Sequence, residues 1–455
     1  MPKRNVIWIA MILALAAALW FARQRSSPPP VQTIPAALKG ANKALELIQS
    51  NYCGTIDESR LTQGAISGLV SGLDEFSSYV SPQQQPGFQQ RLDGRTRGLG
   101  LLVDTTAGKA LVVGPLPDSP AQIAGIYGGD EIVAVNGRDV REIGPDVESV
   151  LAAQLSPVTL TILSAGSPAP REVTLAPADR AIETVVGLYR TAGGQWQHRF
   201  DIGRGVAYIR VQEFIQGTAA EFQRILRLVE GAGALVLDLR GNPGGLLPSA
   251  VGVASYFQSS GDILVVHDRY GPGQRYKAHP EGASNIPLVV LIDERTASAA
   301  EIVAGTLRVH RRAVLVGART RGKGCVQTMY DLGEGLGQVN LTTAEFLAGG
   351  SQPIMRRPGS TRWGIDPDVA VSQHWADQAL TRLRRQGSVV PRPLGAATRP
   401  ASTAGASLYD QLLKTDRQLA RAMALAADPA AIHAVLEKRA LAPASAAAES
   451  RPTAP

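Results

Sequence analysis

The chain has 455 residues, of which 44% are apolar and 19% are charged. This balance predicts a globular protein of roughly two to four domains, and it excludes whole-chain disorder and a polytopic membrane protein. The formal net charge of +7 is concentrated after residue 376, where 11 Lys and Arg accompany 6 Asp and Glu. Aromatic residues make up only 5% and do not alternate with this basic tail, so we expect no nucleic-acid partner.

Cysteine and histidine spacing gives no sign of a metal site. Cys53 and Cys325 form no C-x-x-C pair, and the six histidines form no H-x-x-x-H pair. We therefore expect no metal and no cofactor. The two cysteines are expected to be unpaired structural thiols, and a redox switch between them is the alternative.

The N-terminus has the pattern of an export signal. Lys3 and Arg4 precede an uncharged apolar run at residues 6–22. That run is near the lower length limit for a membrane span. A cut after residue 22 would place Trp20 where signal peptidase wants a small residue, which favours an uncleaved signal anchor at residues 1–25 over a cleaved signal peptide.

Both alternatives export the rest of the chain and predict a location on the periplasmic side of the cell envelope, with the membrane contacted through residues 6–22. The next residues, 26–36, are rich in Pro and Ser and predict a semi-rigid linker. An apolar run at the start of the sequence followed by a Pro- and Ser-rich segment is more typical of an anchor and its linker than of a buried core helix.

Residues 37–93 have apolar positions at helical spacing and predict an N-terminal helical segment. From residue 94 to 180, short apolar runs alternate with Gly, Pro and Asn-Gly turns, which predicts a small β-rich domain. The strands predicted in this domain cover residues 99–103, 110–113, 131–135, 158–163 and 173–175, and a short helix is predicted at 120–124.

Residues 181–375 alternate strands with helices and predict an α/β core whose site lies on the loops after the strands. Strands are predicted at 206–211, 234–238, 287–292 and 313–316, and helices at 218–229 and 297–307. The remainder predicts a flexible linker at 376–407, a C-terminal helical segment at 408–441 with one amphipathic helix over 409–426, and a disordered tail at 442–455. The two helical segments are candidates for self-association into a homo-oligomer.

Ser298 stands at a predicted strand-to-helix junction, within the run TASAAE at residues 296–301. A helix N-terminus supplies free N–H groups and a positive dipole, which together can hold an oxyanion. The structural alternative is a helix cap, since Glu301 stands three residues after Ser298 and completes a capping box.

A serine nucleophile needs a base. No G-x-S-x-G motif surrounds Ser298, and His310 lies among arginines where we expect it to be solvated, so a Ser-His-Asp triad is not indicated. Lys323 lies between two glycines after a predicted strand, and burial would lower its pKa enough for a base. If residues 323–327 are extended, Gln327 points to the same face and orients the amine. The alternatives are a solvated lysine and a phosphate-binding loop, although Gly324 occupies the place of the Ser or Thr that such a loop needs.

Two glycine-rich turns complete the candidate sites. Residues 241–245 follow a predicted strand, and their glycines allow a backbone N–H to face a ligand, as an oxyanion hole requires. Residues 98–101 (GLGL) open a predicted strand and can present N–H groups to a peptide carboxylate, with a strand edge available for β-augmentation. Taken alone, each segment is more typical of an ordinary turn.

Together these segments resemble the carboxyl-terminal processing proteases, which are serine peptidases with a Ser-Lys dyad and a PDZ domain. The resemblance covers roughly residues 40–375. The motifs that carry it, in the family's order, are NY at 51–52, GLDEFSSYVS at 72–81, GLGL at 98–101, SPA at 119–121, GDEIVAVNG at 129–137, DLRGNPGG at 238–245, ASAAE at 297–301, GKGCVQ at 322–327 and GIDPD at 364–368. It implies an α+β and α/β multidomain fold: an N-terminal helical segment, a β-rich PDZ domain and an α/β catalytic core of crotonase-like type.

The resemblance also implies roles for individual residues. The implied roles are Ser298 as nucleophile, Lys323 as general base, Gln327 as the residue that orients the lysine, the N–H groups of Gly244 and Ala299 as oxyanion hole, and the loop of Leu99, Gly100 and Leu101 as the site for the substrate's C-terminal carboxylate. The chain departs from the family in two places. Thr296 and Ala300 replace serines usual near the nucleophile, and residues 345–361 lack the usual Pro-Ser-Gly turn.

The expected function is that of a serine endopeptidase that engages proteins by apolar C-termini and cleaves them through an acyl-enzyme. An activating partner is also expected, because proteases that look like this one are often gated. The first alternative is a catalytically silent PDZ adaptor in the cell envelope, in which Lys323 would have an ordinary pKa. The second is a crotonase-like acyl-CoA enzyme, against which the PDZ-like segment and the export signal argue.

Overall fold

The computed structural model describes residues 36–106, 108–278, 283–374, 377–393 and 401–441. The predicted anchor at 1–25, the linker up to residue 35 and the predicted tail at 442–455 lie outside these described residues. Within them, no single helix is long and apolar enough to cross a membrane. The bent pair Arg417–Ala426 and Pro429–Ala440 meets that criterion only when both helices are counted together.

The chain divides into two compact units between Leu69 and Val70. The first unit contains helix α1 (Ala36–Asn51) and most of helix α2 (Glu58–Ser71). Asp57 accepts a hydrogen bond from the Arg60 N–H at 3.0 Å and so caps the start of α2.

The second unit begins with a β-rich domain. Its elements, with the strand and helix that precede it, are β1 (Ser78–Val80), α3 (Gln85–Leu92), β2 (Arg95–Gly98), β3 (Leu101–Thr106), β4 (Lys109–Pro115), α4 (Pro120–Ile123), β5 (Glu131–Val135), β6 (Arg138–Asp139), α5 (Val140–Ile143), α6 (Val147–Ala152), β7 (Val158–Leu163), β8 (Arg171–Leu175) and β9 (Ala178–Ala181). The main sheet has the order β3-β4-β5-β7-β8, so β3 is an edge strand. Val158, Leu160 and Ile162 alternate inward along β7, as the period of two requires.

The α/β core follows. Its elements are β10 (Val185–Val186), β11 (Arg199–Phe200), β12 (Val206–Val211), α7 (Thr218–Leu228), β13 (Ala234–Asp238), α8 (Leu247–Ser255), β14 (Asp262–Asp268), β15 (Gly271–Lys277), β16 (Leu288–Ile292), α9 (Ala299–Val309), β17 (Val314–Gly317), β18 (Cys325–Asp331), β19 (Gln338–Ala348), β20 (Gln352–Pro353) and β21 (Val369–Ala370). Strands β12, β13, β16, β17 and β21 are parallel neighbours. The loops after β13, β16 and β17 therefore meet at one edge of the sheet.

Every residue of β13, β16 and β17 is buried, because both faces of the parallel sheet are covered. Residues of α7, α8 and α9 pack on one face, and residues near the C-terminus pack on the other. This explains why these strands appear in the sequence as continuous apolar runs.

A second sheet joins β1, β19, β14 and β15, with β18 and β20 also paired to β19. The prediction that residues 37–93 are helical is wrong at residues 78–80. There, Ser78, Tyr79 and Val80 pair antiparallel with β19, which supplies a partner far along the chain that local spacing does not reveal.

The predicted flexible linker at 376–407 is wrong at both ends, because residues 401–407 belong to the helix Ala401–Thr415 and the first part is helical as well. Residues Gln378–Ser388 form helix α10, and Leu380, Val389 and Val390 are buried. The Asp377 carboxylate accepts hydrogen bonds from two N–H groups in the first turn and so caps α10. Apolar burial and a good cap thus order a segment whose composition suggested flexibility.

Three helices end the described chain: α11 (Ala401–Thr415), α12 (Arg417–Ala426) and α13 (Pro429–Leu441). The single helix predicted over residues 409–426 is therefore wrong, because it is interrupted at Asp416. The buried Asp416 carboxylate caps α12 at Leu419 and also accepts a hydrogen bond from the Arg240 guanidinium at 2.7 Å. Arg240 also bonds Asp238 at 2.6 Å, so the loop after β13 is tied to the C-terminal helices.

Candidate active site

The three loops at the edge of the parallel sheet bring the predicted core residues together. Gly244 lies in the loop after β13 and adopts a φ of +103°, which favours glycine. A Cβ at this position would lie 2.6 Å from the Ser298 Cβ and 3.0 Å from the Ala299 nitrogen. Only glycine lets the backbone come this close to the predicted nucleophile.

Ser298 precedes α9 with φ +53° and ψ −119°, an uncommon conformation for a residue with a side chain. It is half-buried, whereas its neighbours Ala297 and Ala299 are buried. The hydroxyl is therefore reachable at the positive end of a helix of 11 residues. Backbone strain at such a position is typical of functional sites.

Glu301 holds the segments of Ser298 and Lys323 together. Its carboxylate accepts hydrogen bonds from the N–H groups of Ser298 at 2.8 Å and Lys323 at 2.9 Å. It also accepts one from the Gly322 N–H at 2.7 Å and one from the Thr320 hydroxyl at 2.5 Å. Burial raises the pKa of this carboxyl to about 7, and the four hydrogen bonds act in the opposite direction.

The spacing of Glu301 after Ser298 predicts only a helix cap. The hydrogen bond with the Ser298 N–H is the predicted capping contact. The hydrogen bonds with residues 320–323 join two separate loops, and the spacing of three residues between Ser298 and Glu301 does not predict them.

Lys323 is half-buried, and its Nζ donates a hydrogen bond to Gln327 Oε1 at 2.6 Å. The prediction that Lys323 and Gln327 meet is confirmed, and the alternative of a fully solvated lysine is wrong. Burial lowers the pKa of Lys323 below that of a free lysine, and the charge of Arg321 lowers it further. An amine with a lowered pKa in a cleft has the chemistry of a general base.

No hydrogen bond joins the Ser298 hydroxyl to the Lys323 amine in the part of the chain that the structure describes. His310 is no substitute, because it caps the opposite end of α9, about 18 Å away along the helix axis. The expectation that His310 is solvated is wrong, since its half-buried ring bonds the Asp262 carbonyl at 2.9 Å.

The predicted oxyanion-hole donors are both next to Ser298, but one of them is occupied. The Gly244 N–H donates to the side-chain oxygen of Asn242 at 2.8 Å. Asn242 is fully buried and is itself held by the Val211 carbonyl at 2.9 Å. An oxyanion that uses the Gly244 N–H would have to replace Asn242 Oδ1.

The second candidate site is the glycine-containing loop before β3. Gly100 has a φ of +67° and packs against Ser119. The Leu99 side chain is buried in the core of the β-rich domain, whereas Leu101 is half-buried.

Sequence reasoning missed Arg180 at this loop. A Cβ on Gly100 would lie 3.3 Å from the Arg180 Cζ, and Arg180 Nε is buried without a hydrogen-bond partner among the described residues. The antiparallel pairing of β9 with β2 carries Arg180 back to this loop, and no local sequence pattern predicts that pairing.

Within the described ranges, no group of three or more His, Cys, Asp and Glu side chains is arranged to hold a metal ion. Both cysteines are free thiols, and Cys53 is exposed whereas Cys325 is buried. Burial raises the pKa of the Cys325 thiol, which disfavours the reactive thiolate.

Three family profiles match the chain in order: the activating protease CtpB N-terminal domain at residues 22–83, the PDZ domain at 89–163 and peptidase family S41 at 205–371. The carboxyl-terminal-processing protease of Synechocystis sp. is 33% identical over 69% of this chain and 71% of its own length. The carboxy-terminal-processing protease of Bartonella bacilliformis is 30% identical over 81% and 83%. A solved photosystem II D1 C-terminal processing protease is 28% identical, covers 78% of this chain and 92% of its own, and has a TM-score of 0.43.

Proposed function

Because the chain belongs to the carboxyl-terminal processing proteases, serine-type proteases of peptidase family S41, we propose that it cleaves protein substrates with Ser298 as nucleophile and Lys323 as base. The observation that carries this proposal is the Glu301 carboxylate, which bonds the backbones of both residues. One buried anchor thus fixes the backbones of the proposed nucleophile and base relative to each other, which favours the orientation that proton transfer needs.

The proposed reaction begins when neutral Lys323 takes the proton of the Ser298 hydroxyl while the oxygen attacks the substrate carbonyl. The Ala299 N–H stabilises the resulting oxyanion, and the Gly244 N–H joins it once Asn242 releases that donor. The lysine ammonium then protonates the departing amine, which leaves an acyl-enzyme on Ser298. Water, deprotonated by the same amine, hydrolyses the ester and restores the serine.

We further propose that the PDZ domain selects substrates by their C-terminus. Backbone N–H groups of the Leu99–Gly100–Leu101 loop and the Arg180 guanidinium would bind the terminal carboxylate, and the substrate tail would extend the sheet along β3. Two features support this: β3 is an edge strand, and Arg180 Nε is buried next to Gly100 with no partner among the described residues.

The apolar run at residues 6–22 supports the proposal that the chain is anchored in the membrane and acts on the periplasmic side of the envelope. An activating partner is proposed because the Ser298 hydroxyl and Lys323 amine are not hydrogen-bonded in the described conformation. Self-association through the helical segments also remains part of the proposal.

Cleavage of an unfolded protein that ends in Ala-Val-Val tests this function directly. We expect the purified chain to cleave it at least about tenfold faster than the same protein ending in three aspartates or in an amide, because both changes remove tail contacts. Ser298→Ala should abolish cleavage while the tail still binds.

Equal cleavage of all three substrates would contradict tail recognition. Tail binding without cleavage by the parent protein, even after addition of a cell-envelope extract, would support the adaptor alternative instead.

A further inference from the structure

A tight turn at residues 74–77 lies beside the proposed base. The Asp74 carboxylate accepts hydrogen bonds from the Phe76 N–H at 2.7 Å and the Ser77 N–H at 2.6 Å. It also accepts one from the Ser77 hydroxyl at 3.0 Å. Burial acts to raise the pKa of Asp74, but these hydrogen bonds prevail and hold the pKa below its usual value, so the group is ionised.

The turn is attached to the core sheet on its other side. The Ser77 hydroxyl accepts a hydrogen bond from the Thr342 N–H at 3.1 Å, and Ser78 begins the strand that pairs with β19. The position of the Phe76 backbone is therefore fixed by Asp74 from one side and by the sheet from the other.

The Phe76 carbonyl points at the residue that orients the lysine. Gln327 donates its Nε2–H to this carbonyl, and its Oε1 accepts the hydrogen bond from Lys323 Nζ. The two ends of an amide have opposite hydrogen-bonding character, so the acceptor at Phe76 decides which end faces the amine. If the amide turned over, its NH₂ group would face the lysine and could not accept a hydrogen bond from it.

We propose that Asp74 is a positioning residue for the general base, acting through the Phe76 carbonyl to fix the amide of Gln327 and thereby the amine of Lys323. The inference rests on the proposed Ser-Lys chemistry and adds to it an element from outside the parallel-sheet loops. The ring of Phe76 contributes as well, since Lys323 Nζ lies 5.5 Å from its centroid.

A double-mutant cycle between Asp74→Ala and Gln327→Ala tests this coupling in the full-length protein. The readouts are kcat and KM for the Ala-Val-Val substrate and the rate at which a fluorophosphonate probe labels Ser298. We expect Asp74→Ala to lower kcat at least tenfold with little change in KM, and Asp74→Asn to stay within threefold of the parent because its oxygen still accepts from the turn. In the Gln327→Ala background, Asp74→Ala should cost less than twofold.

Asp268→Ala is the matched control, because Asp268 holds a similar turn at Tyr270 in the exposed β14–β15 hairpin. If Asp74→Ala does not fold, Ser77→Ala replaces it in the same cycle, because it removes the hydroxyl contact with Asp74 and the one with the Thr342 N–H while both backbone contacts of the turn remain. The inference is overturned if the kcat loss of the double mutant equals the product of the losses of the two single mutants. It is also overturned if Asp74→Ala has the kcat of the parent. Activity that survives in Ser298→Ala and Lys323→Ala would instead overturn the proposed function.

Helix α10 and the four residues after it lie against the edge of the PDZ domain. We call residues 378–392 the strap. Arg385 donates to the Val103 carbonyl on β3 at 2.8 Å and forms an ion pair with Glu148 on α6 at 2.5 Å. The Val390 N–H donates to the Pro115 carbonyl at 2.9 Å. The strap therefore contacts both β3 and the neighbouring helix.

The Val103 carbonyl belongs to the free side of β3. Val103 lies opposite Val112 on β4. The Val112 N–H donates to the Asp130 carbonyl and the Val112 carbonyl accepts from the Gly129 N–H, both on the side of β4 that faces away from β3. Val103 and Val112 are therefore a non-hydrogen-bonded pair. Both backbone polar groups of Val103 consequently point away from the sheet. A peptide added to β3 as a new strand would need this same carbonyl.

We propose that the strap competes with substrate tails for the β3 edge and that Arg385 is the contact a tail must displace. This inference rests on the proposed tail recognition. The strap also bonds the core side of the molecule, because the Arg190 N–H donates to the Gly387 carbonyl at 2.8 Å. Displacement of the strap by a tail would thus break the hydrogen bond between Gly387 and Arg190 and change the contacts of the segment that carries Arg190.

Fluorescence anisotropy with a labelled decapeptide ending in Ala-Val-Val tests the competition, with Ser298→Ala present in every protein to prevent cleavage. We expect Arg385→Ala to bind the peptide about tenfold more tightly, because the charge-assisted hydrogen bond from Arg385 to the Val103 carbonyl no longer competes with the peptide. Arg382→Ala is the control, since Arg382 pairs with Asp104 at 3.4 Å on the exposed surface and should change Kd less than twofold.

Glu148→Gln provides a second variant, expected to tighten binding by a smaller factor, should Arg385→Ala be unstable. Unchanged or weaker binding in the Arg385 and Glu148 variants overturns the strap inference alone. Failure of every variant to bind the peptide overturns tail recognition and the strap inference with it.

Discussion

Lys323→Ala will lower cleavage of the Ala-Val-Val substrate by at least about 10³-fold near pH 8. The half-buried amine is the base that the Ser298 hydroxyl needs, and no histidine of the described chain replaces it at this edge of the sheet. Lys323→Arg should be equally inactive, because a guanidinium stays protonated. Steady-state cleavage rates, with thermal unfolding to verify folding, provide the measurement.

The pH dependence of cleavage by the parent protein is a second test of Lys323 as the base. Only the neutral amine can accept a proton, so cleavage must rise with pH as Lys323 deprotonates and then level off. Because burial lowers the pKa of Lys323, this rise should occur below the value of about 10.4 of a free lysine. Arg321→Ala is the matched variant: its charge lowers the pKa of Lys323, so removing it should move the rise to higher pH. An unmoved profile would show that the rise belongs to another group.

Glu301→Gln will produce the second large effect, on both activity and stability. One carboxylate oxygen would become an NH₂ group that faces N–H donors from neighbouring backbone segments. We expect kcat to fall at least about 100-fold and the free energy of unfolding to fall by about 2–4 kcal/mol, as for a buried charged group that loses its hydrogen bonds. Cleavage rates and urea unfolding measure the two effects.

Glu221→Gln is the control, since the half-buried Glu221 carboxyl likewise has its pKa raised by burial, but it bonds Thr184 away from the site. It should lose stability without losing activity. A Glu301→Gln protein as active as the parent would mean that the shared carboxylate does not position the nucleophile and the base.

The pH dependence of stability gives Glu301 a further signature. Its pKa is raised to about 7 in the folded protein, whereas an unfolded glutamate titrates near 4.5. Between these values the unfolded chain ionises first, so this group's contribution to stability falls as pH rises from about 4.5 to about 7. The difference in unfolding free energy between parent and Glu301→Gln should follow that trend.

Much of the fold is predictable because its strands are locally marked. The strands at 131–135, 158–163, 206–211 and 234–238 were predicted with the bounds that the structure has, since apolar runs or alternation end at Gly and Pro turns. The hairpins of the second sheet were missed. Strands β18 and β19 are half-exposed over most of their length, so their periodicity is weak.

The site was predictable only in its motif positions. Residue chemistry made Ser298, Lys323 and Gln327 candidates with structural alternatives, and the resemblance to the carboxyl-terminal processing proteases assigned their roles and that of Gly244. The roles of Glu301, Asn242 and Asp74 depend on hydrogen bonds between loops far apart in sequence, which no local spacing encodes. The order of residues 378–390 likewise comes from tertiary burial that overrides a flexible composition.

The most direct test of the Ser-Lys assignment is the labelling of Ser298 by a fluorophosphonate probe, followed by intact mass and peptide mapping between pH 6 and pH 10. We expect a single adduct on Ser298, formed faster as pH rises, and no adduct in Lys323→Ala or Ser298→Ala. An adduct elsewhere in the parent, or labelling of Ser298 at the parent rate in Lys323→Ala, would contradict the assignment.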